Sequence, residues 1–198
     1  MSTPLFPLRT VLYPGGPLPL RIFESRYLDM ISACLKNDAP FGVLLIRDGN
    51  ETGPATTYSV GTLARITDWY QGSDGLLGVT ARGEQRFRLC SSRRADDGLN
   101  LGEIEVLPAD VPCPLPEQYR PLADILSGVL EDLGRLYEDL DKRYDDAGWV
   151  GYRLAEILPI SPEQKQHWLE ADDPIRRLDM MRDVLESVRG PAASPDYS

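Results

Sequence analysis

The chain has 198 residues, room for one large domain or two small ones, and its apolar content of 42% is ordinary for a globular protein. No run approaches the ~20 apolar residues that cross a bilayer, and Pro4, Pro7 and Arg9 interrupt any signal-peptide core, so a cytoplasmic protein is expected. The formal charge is −10, with −2 on residues 1–110 and −8 on residues 111–198, which disfavours nucleic acid, because phosphates demand a basic face.

Leu5-Phe6-Pro7-Leu8 predicts a short edge strand, since proline is confined to edges and strand starts. Tyr13-Pro14-Gly15-Gly16 reads as a tight loop and Leu18-Pro19-Leu20 as a second short strand. A helix is expected from Glu24 to about Asn37, because Leu28, Ile31 and Leu35 recur at three- and four-residue steps. Asn37-Asp38-Ala39-Pro40 ends it. Residues 41–46 form a buried-strand run, and residues 58–70 alternate Val60, Leu63 and Ile66 among β-branched neighbours. Strands at 76–80 and 85–89 flank Arg82-Gly83-Glu84, a hairpin or a sharp strand bend, and residues 99–107 complete the set. Short strands separated by glycine predict a small barrel or folded-over sheet with one inserted helix.

The character changes near residue 110. Pro108, Pro112, Pro114 and Pro116 mark a connector over 111–117, after which the apolar period becomes helical. Leu122, Leu126, Val129, Leu133, Leu136, Leu140 and Tyr144 predict one long helix with a single buried stripe. A shorter helix turns Val150, Leu154, Ile157 and Leu158 inward. Ser161-Pro162-Glu163-Gln164 is a helix start with a serine cap, and Asp173-Pro174 starts the last helix. That helix buries Ile175, Leu178, Met181, Leu185 and Val188 and ends at Gly190. The expected class is α+β: strands over 1–110, helices over 118–190, and a disordered tail over 191–198.

Little of this text carries catalytic chemistry. Lys36, Lys142 and Lys165 follow Leu35, Asp141 and Gln164, so no Gly-Lys-Ser/Thr loop exists for ATP, and no Gly-x-Ser-x-Gly elbow occurs. His167 is the only histidine, which rules out a paired-histidine metal site, and it reads as an ordinary helix residue. Cys34, Cys90 and Cys113 are dispersed and odd in number, so reduced and mostly buried thiols are expected, Cys113 excepted. Asp145-Asp146 and Asp172-Asp173 precede helices as caps, and Asp96-Asp97-Gly98 reads as a turn. Trp149 and Trp168 read as core. The expectation is a non-enzyme without cofactor or metal.

Residues 5–31, LFPLRTVLYPGGPLPLRIFESRYLDMI, are the distinctive segment. Their Pro7-Leu8-Arg9, Pro14-Gly15, Leu18-Pro19-Leu20, Ile22-Phe23-Glu24, Arg26-Tyr27 and Met30-Ile31 fill a gap-free pattern that resembles the start of the LON domain family. Gly61-Thr62-Leu63-Ala64, the text GEQRFRL over 83–89, Leu158-Pro159, Gln164-Lys165-Gln166, Leu169-Glu170 and Arg177-Leu178 extend the likeness over residues 4–188. The chain resembles a free-standing LON domain, stopping before any ATPase or protease domain. The resemblance implies a PUA-like β-barrel at the N-terminus and an α-helical bundle after it. In Lon proteases such a region helps recognise unfolded or tagged protein substrates, and in cereblon a related region belongs to a ubiquitin-ligase receptor.

Two readings of the site follow. Arg9, Pro14, Gly15, Phe23, Glu24, Arg26 and Tyr27 are expected to support the fold, while Tyr13, Trp69 and Tyr70 are candidate contacts for polypeptide. The expected partner is unfolded polypeptide or a protein substrate, with a separate ATP-dependent protease alongside. The competing reading is RNA binding, common among PUA-like barrels, through Arg82, Arg86, Arg88, Arg93 and Arg94.

Overall fold

The computed structural model describes residues 2–53 and 55–189, with side chains through residue 184. Its seven strands are β1 (Thr3–Leu8), β2 (Pro17–Ile22), β3 (Phe41–Gly49), β4 (Ala55–Thr57), β5 (Val60–Gln71), β6 (Leu77–Arg94) and β7 (Asn100–Val106). They pair in the order β1-β7-β6-β5-β3-β4, and β1 also pairs with β3, so five strands close on themselves. β2 adds to β6 alone. β1 is therefore no edge strand. It runs parallel to β3 from Leu5 to Leu8 and antiparallel to β7 from Thr3 to Leu5. Pro7 is accommodated because β7 has ended there, leaving β1 paired on one side only.

Arg82-Gly83-Glu84 makes a bend and not a hairpin: β6 is continuous over 18 residues. Its pairing with β5 shifts register between Thr62 and Ala64, opposite this point. Gly83 is required there because the Tyr13 carbonyl lies where a Cβ would be. α1 (Ser25–Asn37) crosses over between β1 and β3, and its buried face is Arg26, Tyr27, Met30, Ile31 and Cys34. The expected stripe is thus rotated by about one residue, leaving Leu28 and Leu35 partly exposed.

The expected long helix is broken. α2 (Arg120–Leu133) stops at Gly134, whose φ of +58° disfavours any residue with a Cβ, and α3 (Arg135–Glu138) is a single turn. Ala123, Leu126 and Leu130 are buried on α2, and Tyr137 and Leu140 beyond it, while Ile125, Leu133 and Leu136 face outward. α4 (Ala147–Ile157), α5 (Pro162–Glu170) and α6 (Pro174–Arg189) follow. Asp146 accepts from the Trp149 amide at 2.9 Å and Ser161 from the Gln164 amide at 3.2 Å, as caps. Asp173 accepts from the Ile175 and Arg176 amides. Leu178 and Met181 are buried on α6, whereas the side chains of Leu185 and Val188, and Gly190 with the 191–198 tail, lie outside the described residues.

The proline-rich segment is pinned rather than free. Ala147 donates to the Cys113 carbonyl, Leu115 donates to the Asp145 carbonyl, and Pro114 bridges Asp146. One apolar cluster packs Val11, Tyr13, Leu45 and Val60 of the strand half with Leu126, Val150, Trp168 and Leu178 of the helices. A second cluster fills the sheet beneath α1 with Leu20, Ile22, Met30, Phe41 and Val79. Of the cysteines, Cys34 is buried, Cys113 half-buried and Cys90 exposed, since Cys90 lies on the outward part of β6.

Candidate functional site

The Pro14-Gly15-Gly16 loop sits between the sheet and the helices. Gly15 donates to the Gly83 carbonyl at 2.7 Å and Gly83 donates to the Gly16 carbonyl at 2.8 Å, so backbone alone binds loop to strand. From the other side Arg153 of α4 donates to the Pro14 carbonyl and to Glu156, both at 2.7 Å. Glu156 also accepts from the Tyr137 hydroxyl at 3.2 Å, and Lys165 donates to its main-chain carbonyl at 2.8 Å. Tyr13 is entirely buried here, its hydroxyl donating to the Lys165 carbonyl at 2.8 Å. Tyr13 is therefore removed from the surface contacts: its ring packs at 5.6 Å from that of Tyr152 and reaches no solvent.

The other motif residues are engaged within the chain, with one exception. Arg9 donates to the Gly49 carbonyl and Asn50, tying the end of β1 to the β3–β4 turn. Arg26, nearly buried, pairs with Glu24 at 2.8 Å and donates to the Gly98 and Glu51 carbonyls. Its guanidinium lies over Tyr27, which stacks on Phe6 at 3.9 Å. Phe23 is the exception, 62% exposed at the end of β2.

Trp69 and Tyr70 are 59% and 50% exposed near the end of β5. Neighbours on a strand point to opposite faces, so the two rings do not form one platform. Tyr70 faces Gly78 across the ladder, and its ring occupies the space a Cβ there would need. Arg21 lies opposite Gly78 on the far side and pairs with Asp74 of the β5–β6 turn. Trp69 faces the buried Val79.

A third locale joins residues that the sequence gives no reason to bring together. Asp110, just after β7, receives Arg177 at 2.9 Å, Arg86 at 3.5 Å and the Tyr152 hydroxyl at 3.1 Å. Arg177 is fully buried, also donates to the Trp168 and Ala171 carbonyls, and stacks 3.9 Å from the Tyr152 ring centre. Arg86 adds the Leu169 carbonyl at 2.9 Å and Asp172 at 3.0 Å. A cleft of about 240 Å³ opens beside this network, walled by Pro14, Pro108, Trp149 and Tyr152. The arginines are structural because their hydrogen-bonding capacity is spent on the junction, which removes Arg86 from any basic face. Arg153 and Glu156 carry a sequence signal of their own, two charges on one otherwise apolar helical run. Among the described residues no group of three or more His, Cys, Asp or Glu could hold a metal, and His167 stands exposed on α5.

A family model for the ATP-dependent protease La (LON) substrate-binding domain matches residues 2–187. The chain belongs to the LON substrate-binding domain family. It is 30% identical over 196 residues to the Lon protease of Paraburkholderia phytofirmans, covering 94% of this chain and 24% of that protein. Protein cereblon of Xenopus tropicalis is 30% identical over 117 residues, 57% of this chain and 25% of that protein. A crystal structure of a Lon N-terminal domain protein from Xanthomonas campestris superposes with a TM-score of 0.77 at 40% identity, covering 92% of this chain and 98% of that one. The chain spans about a quarter of the length of the Lon proteases it matches.

Within this LON domain the stability of the loop clamp is expected to depend on pH. Desolvation by burial raises the Glu156 carboxyl from its ordinary 4.5 to about 7, with Arg153, Tyr137 and Lys165 opposing that rise. A folded-state value above the unfolded one means that this group's contribution is present below about pH 4.5 and is lost as pH rises through about 7. Glu156→Gln is therefore expected to flatten the fall in stability between those two pH values. Urea denaturation of both proteins at several pH values checks this, and parallel curves would refute it.

Proposed function

We propose that this LON domain is a non-catalytic polypeptide-binding module for unfolded or tagged protein segments, and that it serves as an adaptor for a separate ATP-dependent protease in the cytoplasm. Supporting the reading is the match of a substrate-binding family over residues 2–187, together with large apolar side chains left at one end of the sheet. Trp69 and Tyr70, on opposite faces of β5, each leave an exposed ring there, and Phe23 just past β2 is a third exposed ring at that end of the sheet. In the same reading residues 1–110 are a PUA-like β-barrel, 111–117 a connector and 118–190 a helical bundle. The closed ring of five strands supports the first assignment, and the helix-lined cluster around Leu126 and Leu178 supports the last. The RNA reading is weakened because Arg86, central to its arginine cluster, is buried against Asp110 and Asp172.

Replacing Trp69 and Tyr70 by alanine is expected to weaken binding of an unfolded model protein, such as reduced carboxymethylated lactalbumin, by roughly five- to a hundred-fold. Trp69→Ala alone serves as a second variant, because Tyr70→Ala also uncovers Gly78. Affinity should survive added salt, which screens charges but not apolar contacts. Unchanged affinity in a folded double variant, with release of the wild-type complex at modest salt, would reject the aromatic surface.

A further inference from the structure

We propose that the outer edge of β5, from Ile66 to Gln71, captures polypeptide by strand addition, the bound segment lying extended beside β5 and hydrogen-bonded to its main chain. This rests on the reading of the domain as a polypeptide-binding module and says how such a segment is held. β3 pairs with β5 only where Phe41 to Val43 face Thr62 to Ala64. Beyond Ala64, β5 pairs with β6 alone among the described residues. Thr67 to Gln71 are exposed, and no proline interrupts them.

The ladder fixes which backbone groups point outward. Gly72 donates to the Leu76 carbonyl at 2.8 Å, so this facing pair is a hydrogen-bonded one. Alternation then gives the next ladder bonds to Tyr70–Gly78 and Asp68–Thr80, and turns the main chain of Trp69 and Gln71 away from β6. The Trp69 amide accordingly donates to the Asp68 carboxylate at 2.8 Å, a side chain that an incoming carbonyl can displace. The opposite edge of the same three strands is built differently. Gly83 donates to the Gly16 carbonyl, and the same alternation along β2 turns Pro17 and Pro19 outward. Those prolines offer no N–H, so the β2 edge is blunted against a further strand and the β5 edge is not.

The aromatic rings identify the occupant. Trp69 and Tyr70 lie on opposite faces of β5, and both are at least half exposed. A helix or folded surface docked on one face would cover one ring and leave the other in water. A strand added at the edge carries side chains on both faces, so its successive residues meet Trp69 and Tyr70 as cross-strand neighbours. An extended segment with β-branched or aromatic residues fits this edge. Main-chain bonding also accepts many sequences, as capture of unfolded chains requires. A second copy of this chain is a poorer occupant, since each copy carries a net charge of −10.

The test uses the full chain and a labelled nine-residue peptide of alternating valine and threonine with lysine at each end. An analogue in which ester oxygens replace the five central N–H groups keeps every side chain and loses those donors. The parent peptide should bind, and the ester analogue should bind about tenfold more weakly or worse, the scale of two or three net hydrogen bonds. Amide exchange at Trp69 and Gln71 should be fast in the free protein and slow in the complex. Gln71→Pro removes an outward donor without breaking a bond to β6, and should cost about fivefold or more. Trp69→Ala and Tyr70→Ala should each weaken binding. If Gln71→Pro fails to fold, the ester and exchange results on the wild type decide. Equal binding of parent and ester peptides, unprotected Trp69 and Gln71 amides, a folded Gln71→Pro protein that binds undiminished, or a loss confined to one ring would overturn strand addition and leave the polypeptide-binding reading intact. So would failure of the peptide where reduced carboxymethylated lactalbumin binds, whereas failure of both sinks the two readings together. Slow exchange in the free monomer would assign the edge to the chain itself, and a sedimenting dimer that Gln71→Pro dissociates would assign it to a second copy, either of which overturns the proposal.

Discussion

Asp110→Ala is expected to destabilise the protein by about 3–5 kcal/mol, because it strands a buried charge rather than merely deleting a contact. Arg177 is completely buried, and Asp110 is the only carboxylate paired with it among the described residues. Its remaining partners are the Trp168 and Ala171 carbonyls and the Tyr152 hydroxyl, which orient the guanidinium without neutralising it. Arg86 loses one of two anions and keeps Asp172. Asp172 makes the natural control, for its side chain is 87% exposed. Solvent screens that pair, so Asp172→Ala should cost under about 1 kcal/mol. Urea denaturation compares the two variants, and equal losses would show that the junction does not depend on compensating Arg177.

Gly83→Ala should cost about 3 kcal/mol or more, at the upper end of what overpacking does. A Cβ there would collide with the Tyr13 carbonyl oxygen and come within 3.3 Å of Leu12. Neither obstacle is the tip of a flexible side chain. Relief requires the 13–16 loop to move off β6, breaking the reciprocal Gly15–Gly83 and Gly83–Gly16 hydrogen bonds. The same movement pulls Tyr13 from the Lys165 carbonyl and Pro14 from Arg153, so damage at one strand residue spreads to the helices. Gly128→Ala supplies the contrast. Nothing opposes its Cβ, and helix propensity favours alanine by about 1 kcal/mol. Thermal melts of both variants decide the matter, and a Gly83→Ala protein as stable as wild type would mean that the loop is not held by this approach.

Local chemistry was readable wherever a residue acts on its near neighbours. The caps at Asp146, Ser161 and Asp173, the turn at Asp97-Gly98 and the end of α1 before Pro40 all depend on groups within a few residues. Apolar spacing located most strands and helices, and the opening segment carried the family likeness because its prolines, glycines and aromatics impose backbone shape. The site was less legible. Periodicity marks which residues are apolar but not which of two adjoining strips faces a neighbour, so Leu133 and Leu136 fit the expected interior stripe and yet are exposed.

What the sequence determined by itself is most of the elements and the family, since hydrophobic period, capping and turn chemistry are short-range and the motif residues are contiguous. Tertiary structure decided the partners. Pro7 suggests an edge, but β3 and β7 both pair with β1, and Tyr13 suggests a surface ring, but it is buried and its hydroxyl donates to the main-chain carbonyl of Lys165, 152 positions away. Arg86, Asp110 and Arg177 meet from a strand, a connector and a helix, with no spacing that announces them. Burial and charge pairing are properties of the packed chain, because desolvation depends on every neighbour that packing brings and not on the residue alone.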